Sequence, residues 1–153
     1  MSHQLKISAL ILAGGKASRM EFVEKGLQLY RGEPLISRSL ELAQKVGAEV
    51  WISCQNPAAY QRYKLPTLND HPYPSEGPLC AIAAGLNKID CDYLWVFACD
   101  TPSLPNNLWS LFENAMKQEE ADIYCIENNG RLQNLSALIS KSLAKVSKSA
   151  LGL

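Results

Sequence analysis

Apolar residues along this chain follow two alternating rhythms. Ala9–Ala13 is an unbroken apolar run, Tyr93–Ala98 (YLWVFA) is a second, and Val50–Cys54 (VWISC) is nearly one. Runs of this length fit strands buried on both faces of a parallel sheet. Between them the spacing changes to three and four. Leu35, Ile36, Leu40, Leu42, Ala43 and Val46 predict a helix with Pro34 in its first turn. Leu79, Ile82, Ala83 and Leu86 predict another, with Pro78 near its start. Pro105–Glu119 reads as a third helix, with Leu108, Leu111, Phe112, Ala115 and Met116 inward. Shorter pieces fill the gaps. Gly26–Glu33 predicts an extended excursion turning at Arg31-Gly32, Pro57 opens a short helix carrying Tyr60 and Tyr63, and Leu65–Leu68 is briefly extended. Asn69–Pro78 holds Pro72, Pro74 and Pro78 and reads as a loop. Ala121–Glu127 and Asn134–Ile139 predict two more strands around a turn at Asn128–Gly130, and the tail from Ser140 predicts helix.

Strands alternating with helices predict an α/β domain with a mainly parallel sheet. At 153 residues the chain is expected to form one domain over residues 1–153, with no linker or repeat dividing it. Ligands of such sheets bind beyond the carboxyl ends of the strands, near the switch in strand order. Gly14-Gly15, Ser53–Asn56 and Asp100 all fall at predicted carboxyl ends.

Charge narrows the partners. Lys+Arg 15 against Asp+Glu 15 gives no formal net charge, whereas a general nucleic-acid binder shows a basic excess. No apolar run reaches membrane-span length, and the start MSHQLK lacks the apolar core of a signal peptide. A cytoplasmic protein is expected, with neither nucleic acid nor membrane as partner. The five cysteines are odd in number and widely spread, which predicts small, mostly buried, reduced thiols and no sequence-local zinc site.

The stretch from Ile7 to Lys25 carries the densest chemistry. An apolar strand ends at Gly14-Gly15, and Lys16, Arg19, Lys25 and Arg31 follow. Glycines let the backbone approach a ligand, and successive N–H groups in such a turn can cradle an anion. They serve plain tight turns equally well. Two known phosphate motifs are excluded. A Walker loop would need glycine at Leu10 and Ser or Thr at Ala17, and GxGxxG does not fit adjacent glycines. Arg19 and Lys25 suit a polyphosphate, the first as a planar fork and the second as a mobile point charge. In a solvated loop, Glu21 and Glu24 would neutralise both. Asp100 suits Mg²⁺, a hard cation that shares phosphate oxygens; the competing role is helix capping by Asp100 or Thr101. Asp70 fits either a nucleoside hydrogen bond or a turn. Cys99 has no base beside it, and His3 and His71 have no sequence-local metal partner.

Taken together, Leu12-Ala13-Gly14-Gly15, Ser18-Arg19-Met20, Lys25-Gly26, Gly77-Pro78-Leu79 and Cys99-Asp100-Thr101-Pro102 resemble the motifs of the molybdenum cofactor guanylyltransferases, in the family's order and over nearly the whole chain. The resemblance implies a three-layer, Rossmann-like nucleotidyltransferase domain. It implies transfer of GMP from GTP to molybdopterin or its molybdenum form, with release of pyrophosphate and Mg²⁺ as cofactor. By the same resemblance, Leu12, Ala13, Gly14, Gly15, Lys25, Ser53, Asp70 and Asp100 would line the nucleotide site. Arg19, Lys25 and Asp100 would act in catalysis, and Asp100 would hold the metal. Proteins of the molybdenum cofactor pathway would be partners. The chain departs from the pattern at Glu21, where the family has glycine, and at Ser53, where asparagine is common. The family's C-terminal asparagine-rich segment has no counterpart before Leu153. Those departures keep open a catalytically weak relative that binds nucleotide or cofactor as a partner protein. A cytidylyl- or sugar-phosphate nucleotidyltransferase of the same fold is the nearer alternative.

Overall fold

A computed structural model describes residues 4–14, 24–69 and 77–150, with all their side chains except those of 133–135, 148 and 150. The elements follow the alternation expected from the sequence. Strand β1 (Ile7–Leu12) leads through a 3-10 turn (Lys25–Leu27) and a two-strand hairpin, β2 (Leu29–Tyr30) and β3 (Glu33–Pro34), into helix α1 (Ile36–Lys45). Strand β4 (Glu49–Ser53), a 3-10 segment (Pro57–Tyr63), β5 (Thr67–Leu68), helix α2 (Pro78–Lys88) and β6 (Tyr93–Ala98) come next. Helix α3 (Leu108–Gln118), β7 (Ile123–Asn128), β8 (Arg131–Ser140), a 3-10 turn (Lys141–Leu143) and α4 (Ala144–Ala150) complete the order.

Six strands form one sheet in the order β5-β4-β1-β6-β8-β7. β1 pairs in parallel with β4 and β6, and β4 with β5, while β8 runs antiparallel to both β6 and β7. Side chains alternate between two cores, as the pleat requires. Ala9, Ile11, Trp95 and Phe97 pack with Ile36, Leu40 and Ala43 of α1 and with Leu108 and Phe112 of α3. Leu10, Leu12, Leu94 and Val96 pack on the other face with Ala81, Ala84 and Leu86 of α2. The sheet therefore lies between two helical layers. Trp95 anchors the first core: it is fully buried, with ring centroids 4.4 Å from Phe97, 5.0 Å from Trp109 and 5.9 Å from Phe112. Truncating such a residue to alanine costs about 3–5 kcal/mol.

Two expectations need correcting. Pro34 lies in β3, paired with Leu29, and the helix starts two residues later at Ile36. The hairpin turns through Arg31 and Gly32, both at positive φ, which suits its twist. A proline needs no N–H at such an edge. Leu111 is 47% exposed because it falls at the border of the stripe set by Leu108, Phe112 and Ala115. The cysteines are mostly buried, as expected: Cys54, Cys80, Cys91 and Cys99 are buried, and Cys125 is exposed on β7 at the sheet edge.

The topology sets where a ligand is expected. From β1 the chain moves to β4 and β5 on one side, then returns across the sheet to β6 on the other. Helices α1 and α2 lie on opposite faces, so the order switches at the β1–β6 boundary, where a crevice is expected. Register brings the strand ends level there, with Leu12 beside both Ser53 and Ala98. Among the described residues, no helix is long and apolar enough to cross a membrane.

Candidate functional site

The site is built from the residues just past the carboxyl ends of β1, β4 and β6. On the β4 side the ladder continues past the strand. The N–H groups of Ala13 and Gly14 both donate to the Ser53 carbonyl, at 2.9 and 2.8 Å, and Cys54 N–H donates to Leu68 O at 3.1 Å. This revises the expected anion cradle, because the amides of residues 13 and 14 are already committed to β4. The amides from Gly15 onward lie outside the described residues. Leu12 and Ala13 are 8% and 1% exposed, with their side chains in the two cores. Only their backbone can meet a ligand. Ser53 is likewise buried and serves Gly14 through its carbonyl. A Cβ placed on Gly14 would meet Ser53 O at 3.6 Å and Cys54 Cα at 3.7 Å, both ordinary contacts. Among the described residues the packing does not demand glycine there, and a glycine at a strand end lets a ligand approach the backbone closely.

The β6 side is different. Cys99 N–H reaches Leu12 O at 3.4 Å, and the Thr101 hydroxyl donates to Ala98 O at 2.9 Å, folding the chain back at the strand end. Arg38 of α1 secures the next loop. Its Nε and Nη2 donate to Leu104 O at 3.0 and 2.6 Å, and Nη2 also donates to Asn106 Oδ1 at 2.7 Å. Helix α3 has Asn107 at its N-cap, so neither Asp100 nor Thr101 caps it. The competing structural role for Asp100 is removed. Its carboxylate instead pairs with Lys25, Oδ2 to Nζ 2.9 Å.

Both members of that pair are nearly half exposed, 45% for Lys25 and 47% for Asp100. Exposed pairs of this kind contribute only about 0–1 kcal/mol. A phosphate or a cation can therefore replace either partner at small cost. The hydrogen bond to Asp100 holds the Lys25 ammonium above its usual range, against the opposing effect of burial. Behind the crevice, burial pushes the Cys99 and Cys54 thiols up to about 11. Neither is a thiolate at neutral pH, and neither is placed to act as a nucleophile.

The structure thus brings together Leu12, Ala13, Gly14, Ser53, Lys25 and Asp100. Gly15, Arg19 and Asp70 lie outside the described residues, as do Lys16, Met20, Glu21, His3 and His71. Sequence reasoning missed Arg38, whose partners are 66 and 68 residues away and leave no local signal. It also passed over Tyr60, a buried tyrosine whose hydroxyl faces Glu24 beside Lys25. Among the described residues, no three His, Cys, Asp or Glu side chains gather as a metal-binding group.

Known proteins are similar to this chain in both sequence and fold. Over 118 residues it is 39% identical to the molybdenum cofactor guanylyltransferase of Ralstonia pickettii, covering 76% of this chain and 58% of that protein. Over 138 residues it is 38% identical to the probable molybdenum cofactor guanylyltransferase of Clostridium perfringens, covering 90% of this chain and 68% of that one. The match thus spans about three fifths of the length of the Ralstonia relative. The fold resembles the crystal structure of molybdopterin-guanine dinucleotide biosynthesis protein A from Archaeoglobus fulgidus, with a TM-score of 0.71 at 20% identity, over 94% of this chain and 72% of that one. Residues 9–152 match the model of one family, and the chain belongs to it: the MobA-like NTP transferase domain family.

Proposed function

We propose that this chain is a guanylyltransferase of molybdenum cofactor synthesis, acting in the cytoplasm as a single nucleotidyltransferase domain. It takes GTP at the β1–β6 crevice and transfers GMP to the phosphate of molybdopterin or its molybdenum form. In that reaction an acceptor phosphate oxygen forms a bond to the α-phosphorus, and the bond between that phosphorus and the bridging oxygen breaks. The electron pair leaves on pyrophosphate. Such chemistry asks for positioning and charge neutralisation, with no protein nucleophile required. The buried, protonated thiols of Cys54 and Cys99 are compatible with that demand.

The observation that carries the reading is the Lys25–Asp100 pair at the switch in strand order. A cation and a carboxylate face each other where a nucleotide would enter, held by an exchange energy small enough for ligand to displace it. Lys25 would turn to the phosphates, and Arg19 would add a second cation for them. Leu12, Ala13, Gly14 and Gly15 would offer backbone, Asp70 would bond the nucleoside, and Ser53 would hold Gly14 in place. Asp100 would serve nucleotide and metal. The donor set fits Mg²⁺, which binds through one or two carboxylates together with phosphate oxygens and water. A half-exposed carboxylate at a strand end supplies that, while the described residues form no all-protein cage. When bound, Mg²⁺ would neutralise phosphate charge.

Incubation with GTP, Mg²⁺ and molybdopterin is expected to release pyrophosphate and form the guanine dinucleotide. Tight GTP binding without turnover would overturn the enzyme reading in favour of a binding protein. Preference for CTP in competition would overturn the guanine assignment.

A further inference from the structure

Lys25 must be held over the crevice by something, and its own turn is short. The 3-10 turn Lys25–Leu27 closes with Leu27 N–H to Glu24 O at 3.0 Å and Gln28 N–H to Lys25 O at 3.2 Å. Glu24, at its N-cap, makes no side-chain capping bond. Three residues of 3-10 helix carry little stability of their own. The turn rests instead on Tyr60, from the 3-10 segment after β4.

Tyr60 is 1% exposed. Its hydroxyl donates to Glu24 Oε2 at 3.4 Å, a long contact, and also lies against the Gly26 backbone. A Cβ on Gly26 would lie 2.9 Å from the Tyr60 hydroxyl oxygen, 3.2 Å from Ala13 Cβ and 3.3 Å from Tyr60 Cε1. Gly26 is not among the positive-φ glycines, so space explains the glycine. The turn is wedged between the end of β1 and the phenol. A residue that only filled the core would need no hydroxyl, since phenylalanine offers the same ring. Here the polar end of the ring is buried, and it is aimed at the residues on either side of Lys25.

We infer that Tyr60 is a positioning residue for nucleotide binding: it seats the Glu24–Gly26 turn against the end of β1 and so sets Lys25 over Asp100. The inference rests on the proposed role of Lys25 at the phosphates. It gives the β4 side of the sheet a part in a site that opens on the β6 side. Burial first, and the Glu24 charge second, hold the phenol well above its usual range, so it remains a protonated donor at any working pH.

Calorimetry of GTP with Mg²⁺ tests this across a set of variants. Tyr60→Phe is expected to keep the melting temperature near wild type and to weaken binding about fivefold, the weight of one ordinary hydrogen bond. In a Lys25→Ala background the same substitution should change nothing further. Gly26→Ala should weaken binding by about tenfold or more, since a contact of 2.9 Å forces the turn off its seat. Adding Tyr60→Phe to it removes that contact and should restore part of the loss. An equal loss from Tyr60→Phe in both backgrounds, or no loss in either, would overturn the inference. If Tyr60→Phe fails to fold, Glu24→Gln against Glu24→Ala poses the same question, the glutamine being expected to keep binding and the alanine to lose it. Amide exchange gives a reading that needs no nucleotide. The Leu27 and Gln28 amides should exchange about tenfold faster in Tyr60→Phe while those of β1 hold, because local opening sets exchange. If the wild type binds no GTP, the functional proposal fails, and unchanged exchange at Leu27 and Gln28 separately overturns the positioning role.

Discussion

The two seams that flank β1 carry equivalent register but end differently. Along β4 the hydrogen-bonded stitching runs on past the strand, with two amides on one Ser53 carbonyl and Cys54 held to Leu68. Along β6 it thins to one backbone contact of 3.4 Å, beyond which side chains make the links: Arg38 to the loop at Leu104 and Asn106, and the half-exposed Lys25–Asp100 pair. A closed seam holds geometry, and on the proposed reading the open one admits a ligand. The difference teaches that the sheet divides labour: β4 and its 3-10 segment fix the backbone of Gly14 and the Lys25 turn, while β6 offers the exchangeable charge.

Breaking the open seam should have the largest effect. Asp100→Asn is expected to lower Mg²⁺-dependent turnover by about 100-fold or more, the usual penalty for deleting a preorganised charge at a phosphoryl site. The fold should survive, because the carboxylate is half exposed. Unchanged Mg²⁺ dependence in steady-state kinetics would remove Asp100 from the site. Lys25→Met should weaken GTP affinity by about tenfold, in line with loss of one charged hydrogen bond, with calorimetry as the check. Gly14→Ala sharpens the comparison from the closed side. Among the described residues its Cβ meets only ordinary contacts, so the melting temperature should hold while GTP affinity falls. A stability loss without an affinity loss would make Gly14 a folding glycine.

Thiol labelling compares the seams directly. Cys54 and Cys99 lie just past the ends of β4 and β6, and both are pushed up to about 11 by burial. Near about pH 8 their alkylation waits on local opening. Cys125, on the exposed edge, should react at once, and Cys99 should follow before Cys54. The opposite order would mean that the β4 seam is the weaker. The smallest effect concerns pH. The Lys25 ammonium is held above 10.5 in the folded chain, so its pairing energy is fully present below that value and is lost as pH rises through the higher folded value. The stability difference between wild type and Lys25→Met should be small and flat through neutral pH, closing only in strong alkali. A difference that grew on going alkaline would contradict the pair.

Much of this was legible in the sequence. The apolar runs of β1, β4 and β6 announced a parallel core, and the polar residues just past them marked one edge of it. Asp100 stood out as a candidate because a carboxylate two residues past the strand YLWVFA lies where ligands of such sheets bind. The pairing of Lys25 with Asp100 was not, since 75 residues separate them and only the strand order closes that gap. Pro34 misled because its fixed φ suits both a helix start and an edge pairing. Tyr60 was hidden because its role depends on a glycine 34 positions earlier, and no local pattern links the two. The commitment of the Ala13 and Gly14 amides to Ser53 was hidden for the same reason: it is a property of the sheet.

The most direct test of the central claim is native-state amide exchange with and without GTP and Mg²⁺, read residue by residue. Protection is expected at residues 24–27 and 98–101, with little change at 123–128 on the far edge. Protection confined to that edge, or none at 98–101 while nucleotide is bound, would contradict a site at the β1–β6 crevice.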